Sequence, residues 1–107
     1  MTVSENTYKL AQLIQEDKRR QAADLLATAP VDVRMMLNKH ADTLLSLACA
    51  QHNFPLADTL MEKGAPATAA LSRLIQRDSL VRRYMALRRV DTHVSEVPVL
   101  LQRQNSR

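Results

Sequence analysis

Apolar residues recur along this chain at intervals of three and four, the spacing that places side chains on one face of an α-helix. Leu10, Leu13 and Ile14 share such a face. A charged break, residues 16–20, separates them from Ala22, Ala23, Leu25 and Leu26. Pro30 ends that second segment, because proline donates no backbone hydrogen bond and turns the preceding residue away from helix. Leu44, Leu45, Leu47, Ala48 and Cys49 predict a third, short apolar helix. Leu56, Ala57, Leu60 and Met61 predict a fourth, with Pro55 acceptable in its first turn. Gly64, the one glycine of the chain, fits the left-handed cap that closes such a helix. Ala70, Leu71, Leu74 and Ile75 line a fifth helix, and Asp78 or Ser79 is placed to cap the sixth. There Leu80, Tyr84 and Leu87 share a stripe, Arg82 and Arg89 point to the opposite side, and Arg83 and Arg88 flank them. One alternative stays open: Val33, Met36, Leu37, His40, Leu44 and Leu47 also keep a stripe, which would make residues 32–51 a single helix that includes Met35 and Met36.

The segments echo one another. Residues 10–17, LAQLIQED, and residues 71–78, LSRLIQRD, both read L-[AS]-x-L-I-Q-x-D, and Leu45-Ser46-Leu47-Ala48-Cys49 lies between them. The offsets are about 35 and then about 26 residues. Self-similarity at such a period marks stacked helical hairpins, since one hairpin cannot bury its own apolar face. The pattern therefore predicts an all-α fold, a stack of about three helix-turn-helix hairpins over residues 7–90. Residues 1–6 are expected to be loose, and residues 91–107 to form a separate tail. Val94, Val97, Val99, Leu100 and Leu101 make that tail too apolar to be inert, and Pro98 breaks any helix through it. Packing on the last hairpin, pairing as a strand and capture by a partner are all compatible with it.

Composition agrees with the helical reading. Leu, Ala, Val and Met dominate a chain that is 46% hydrophobic, while Tyr8, Phe54 and Tyr84 are its only aromatics. A length of 107 residues allows one domain. No secretory signal pattern opens the chain, no apolar run is long enough to cross a bilayer, and Cys49 has no second cysteine to pair with. These features point to a cytoplasmic protein in a reducing compartment. Charge is uneven. Residues 1–67 carry a net −1, and residues 68–107 carry a net +5 in which every basic residue is arginine.

Candidate chemistry is sparse. His40, His52 and His93 are isolated, with no ligand spacing between them. One glycine cannot make a phosphate loop, and no Ser, Thr or Cys sits in a nucleophile motif. Glu16 and Asp17 are adjacent and diverge on a helix. The chain reads as non-enzymatic, with no cofactor and no metal. The strongest candidate for function is the group Arg73, Arg77, Arg82, Arg83, Arg88 and Arg89, whose guanidinium forks suit carboxylates and phosphates. The competing reading is a solvated face with interspersed salt bridges. Nucleic acid is the weaker of the two anionic partners, for no aromatic residues interleave with the arginines.

Residues 43–66, TLLSLACAQHNFPLADTLMEKGAP, resemble an ankyrin repeat. Thr43-Leu44-Leu45-Ser46-Leu47-Ala48 follows the family's Thr-Pro-Leu-His-x-Ala opening. His52-Asn53 stands at its turn, residues 57–61 at its outer helix and Gly64-Ala65 at its ending, while Asp32-Val33 resembles the Asp-Val that follows such an ending. The sequence departs from the family at Leu44, Ser46 and His52, and residues 66–69 are too few for the usual finger between repeats. The resemblance covers about 24 residues. It implies a protein partner bound on a concave side to which Gln12, Glu16, Ser46, Ala50, Gln51, Arg73 and Arg77 would belong, the arginines favouring an acidic surface. A tetratricopeptide-like repeat is the near competitor, and would imply a small chaperone holding a client's amphipathic helix, as in secretion systems. A nucleic-acid-associated regulator using the arginine-rich half is the third reading. Homo- or hetero-oligomers suit a short array, whose apolar ends need covering.

Overall fold

A computed structural model describes residues 2–96, with side chains through Arg88. It contains six helices: α1 (Val3–Gln15), α2 (Arg19–Thr28), α3 (Leu44–Ala50), α4 (Phe54–Glu62), α5 (Ala69–Arg77) and α6 (Ser79–Glu96). No strand occurs among the described residues. Residues 97–107, most of the expected tail, lie outside them, and residues 91–96 continue α6.

Helices α1, α3 and α5 form a row, with α3 packed against both of the others, and each carries one outer helix, α2, α4 or α6 respectively. The leucines aligned by sequence are corresponding core positions of that row: Leu10, Leu45 and Leu71 are all buried. Ile14, Leu44, Ala48, Cys49, Leu60 and Val81 join them in one cluster. Burying a Leu or Ile side chain contributes about 1.5–3 kcal/mol, so this row supplies much of what holds the chain folded.

The helix ends follow from particular residues. Thr2 caps α1 in a reciprocal box with Glu5, so the helix begins inside the segment expected to be loose. Thr43 and Ser46 form the same box on α3. Three helices end in one motif, in which the residue past the cap turns left-handed and the next backbone N–H reaches back to satisfy an orphan carbonyl. Gly64 does this after α4 at φ 93°, with Ala65 N–H donating to Leu60 O at 3.0 Å. Asp17 (φ 58°) and His52 (φ 56°) do it after α1 and α3 without being glycine.

Two expectations change. Residues 32–43 are turns and not part of a long helix. Asn38 Oδ1 accepts from the His40 and Asp42 amides, and Ala41 sits at φ 65°, so the backbone leaves the helical path despite the apolar stripe. Met36 is consequently exposed. On α6 the inward stripe is Val81, Tyr84 and Met85, whereas Leu80 and Leu87 are exposed.

Candidate binding face

The connection between α2 and α3 folds over the inner row. Leu37 N–H donates to Asp42 O at 2.7 Å, which closes a tight turn over residues 37–42. Asn38 Nδ2 donates to one oxygen of the Asp42 carboxylate at 3.0 Å, and Ser46 Oγ donates to the other at 3.1 Å. Against this turn lies α5. Arg73 Nη2 donates to the His40 carbonyl at 2.6 Å, and Arg77 stands one helical turn further on the same face. His40, Asp42, Ala70, Arg73 and Arg77 enclose a polar cleft of about 240 Å³.

Among the described residues, no carboxylate lies within 4.0 Å of either guanidinium. The nearest candidate, Asp42, is held by the two neutral donors instead. The cleft therefore keeps net positive charge in a concave, polar setting, where guanidinium groups pair best with a planar anion.

The other expected contact residues are distributed differently. Ser46 is buried, and its hydroxyl is spent on the α3 cap and on Asp42, so it is not a surface contact. Gln51 stitches two turns together: its Nε2 donates to Gln15 O at 3.1 Å, and its own carbonyl accepts from Arg19 Nη2 at 2.9 Å. Gln12 and Glu16 are exposed on α1, with Gln12 Nε2 donating to Glu16 Oε2 at 3.0 Å and Lys18 pairing with Glu16 at 3.2 Å. Those two partners, Gln12 first, hold the Glu16 carboxyl below its ordinary range. Ala50 is exposed on α3.

The arginine group is not one patch. Arg82 turns back to donate to Ile75 O at 3.1 Å and Gln76 O at 2.7 Å, covering the last carbonyls of α5. Arg88 pairs with Asp58 of α4 at 3.2 Å, and Tyr84 Oη donates to the same carboxylate at 2.5 Å. Burial, then Asp58, pushes the Tyr84 hydroxyl well above its ordinary value. Arg83 is exposed on α6, and the side chain of Arg89 lies outside the described residues. Only Arg73 and Arg77 meet in a cleft.

His40, Asn38 and Asp42 were not legible as site residues, because their role depends on the closed turn. The signal was the polar pair Asn38 and Asp42, four apart in an apolar stretch, which competes with helix through side-chain-to-backbone bonds. His52 and Asp78 were likewise hidden. Their side chains meet at 2.8 Å, joining the α3–α4 turn to the α5–α6 turn, while His52 stacks on Phe54 and Phe54 on Tyr84. The His52 hydrogen bond is the main reason the Asp78 carboxyl lies below its ordinary range.

On the opposite side, α2 and α4 leave an apolar groove of about 460 Å³, floored by Leu26 and Leu56 and rimmed by Arg19 and Arg20. Burial pushes the Cys49 thiol up to about 12, which leaves it protonated and unreactive near neutral pH. Among the described residues there is no group of three or more His, Cys, Asp or Glu placed to hold a metal, and no helix is long and apolar enough to cross a membrane. Comparison with protein-family models, with curated proteins and with solved structures returns no significant match.

Proposed function

We propose that this chain is a non-enzymatic, cytoplasmic protein-interaction module: a short helical array with ankyrin-like stacking whose inner-helix face and α5 arginines bind an acidic protein partner. The observation that carries the reading is the cleft between the Leu37–Asp42 turn and α5, where Arg73 and Arg77 converge with no acidic partner among the described residues. A stacked array presents a continuous face of this kind without a catalytic cavity. Charges so placed steer encounter and set register more than they set total affinity.

The test compares the wild-type protein with the double variant Arg73→Glu/Arg77→Glu as bait in cells expressing it, with recovered proteins identified by mass spectrometry. A partner enriched by the wild type and lost with the variant is expected. Recovery of identical proteins by both, or retention of nucleic acid in place of protein, contradicts the reading.

The α2–α4 groove supports a second reading, the small chaperone. Its apolar floor and basic rim fit the apolar face and acidic flank of a client's amphipathic helix. If that reading is right, Ala27→Trp, which fills the groove, abolishes client binding and leaves the α5 cleft untouched.

A further inference from the structure

We infer that the α5 cleft docks a side-chain carboxylate, a glutamate or aspartate of an extended segment, and that it fixes the direction in which that segment lies. The inference rests on the interaction-module reading and specifies its ligand.

Charge and geometry select the ligand. The cleft wall carries two guanidinium groups and one carboxylate, Asp42, and so has a net charge of +1. One monoanion neutralises it, whereas a phosphate dianion would leave excess negative charge facing Asp42. Arg73 is held in place by the His40 carbonyl, so its remaining N–H donors are pre-oriented. Arg77 is exposed and contributes a second fork. A planar carboxylate accepts two parallel N–H bonds from such a fork. Apart from the His40 imidazole, no aromatic ring lines the cleft to stack a nucleobase, and Phe54 and Tyr84 stack on one another elsewhere.

Direction follows from the row of inner helices. Arg77 at the end of α5, Gln51 at the C-cap of α3 and Glu16 at the C-cap of α1 each stand six residues after the corresponding leucine, Leu71, Leu45 or Leu10. At these three positions the side chains run from cationic Arg77 through neutral Gln51 to Glu16, whose carboxylate a basic residue of the segment would share with Lys18, which pairs with it at 3.2 Å. Neighbouring helices pack about 8–10 Å apart, which an extended chain spans in about three residues. An acidic residue seated in the cleft therefore places the residues three and six positions away over α3 and α1, where a basic residue meets Glu16.

The test uses fluorescence anisotropy at low salt with three labelled probes: the peptide EVAVAVKVA, its counterpart EVAVAVQVA in which the basic residue is neutral, and a ten-nucleotide oligothymidylate. Wild-type protein is expected to bind both peptides, EVAVAVKVA about twofold tighter, with Arg77→Gln weakening both at least fivefold, Glu16→Gln removing the twofold preference, and Lys63→Gln, the same charge change at the end of α4, changing either less than twofold. Equal affinity of the wild type for the two peptides contradicts the fixed direction. Arg77→Lys recovers only part of the loss, because the fork is gone. Thermal melts keep the test clean, since the Arg77 side chain makes no hydrogen bond within the described residues and Arg77→Gln should melt with the wild type. Equal losses for Lys63→Gln and Arg77→Gln, or tighter binding of the oligonucleotide than of the peptides, overturns the carboxylate assignment. A natural partner that is still lost with Arg73→Glu/Arg77→Glu while neither peptide binds keeps the interaction module and rejects this ligand.

Discussion

The central pair, α3 and α4, and the last pair, α5 and α6, solve the same structural problems with different residues. Helix α3 is covered on both sides, opened by the Thr43–Ser46 box and closed by the left-handed His52. Among the described residues, helix α5 has an inner neighbour on one side only. It begins at Thr68, whose buried hydroxyl caps nothing and has no hydrogen-bond partner among the described residues. It ends without a left-handed residue, and Arg82 covers its last carbonyls. Where backbone caps satisfy the helix, the pair is scaffold. Where they lapse, arginine takes over part of the work, and Arg73 and Arg77 meet no carboxylate among the described residues.

The largest contrast to break is burial. Leu45→Ala should cost about 2–5 kcal/mol, since the site is buried within the inner row, whereas Leu87→Ala should cost less than about 0.5 kcal/mol. Urea titrations of the two variants measure this directly. The caps come next. Thr43→Ala should cost about 1–2 kcal/mol, through loss of the box, while Thr68→Val should be neutral or slightly stabilising, because it removes an unpaired hydroxyl. Equal costs at the two threonines would show that the caps are alike after all.

The left-handed residues sharpen the comparison further. Gly64→Ala meets nothing within 4 Å, so its cost, about 1 kcal/mol, is backbone strain alone. Ala41→Gly runs the other way and should gain about 0.5 kcal/mol. Thermal denaturation of both variants gives the two signs.

The smallest effect is the acid limb. The Asp78 carboxyl is depressed, chiefly by the His52 hydrogen bond, so its stabilisation is present above its ordinary pKa of 3.8 and is lost as pH falls through the lower folded value. Asp78→Asn, which keeps the cap on α6, should flatten stability against pH below about pH 4. An unchanged slope in Asp78→Asn contradicts the link between the two turns.

Much of the scaffold was legible because periodicity reports which side chains share a face. The aligned leucines, the Pro30 stop and the Gly64 cap all follow from local rules. The single helix over residues 32–51 failed because a stripe counts apolar side chains and overlooks Asn38, whose amide competes for the backbone. Leu80 and Leu87 were misplaced because α6 carries apolar residues on two faces, and only Phe54, far away in sequence, decides that Tyr84 turns inward. The arginines divided for the same reason. Their reach to Ile75, Gln76 and Asp58 is a property of the packed chain, not of their spacing.

That division is the central claim, and binding of the labelled peptide EVAVAVKVA by Arg77→Gln beside Arg82→Gln tests it most directly. Arg77→Gln should lose at least fivefold in affinity, while Arg82→Gln, destabilised by about 0.5–1 kcal/mol yet fully folded at the assay temperature, should bind as the wild type does. Equal loss of affinity in the two variants would contradict the account.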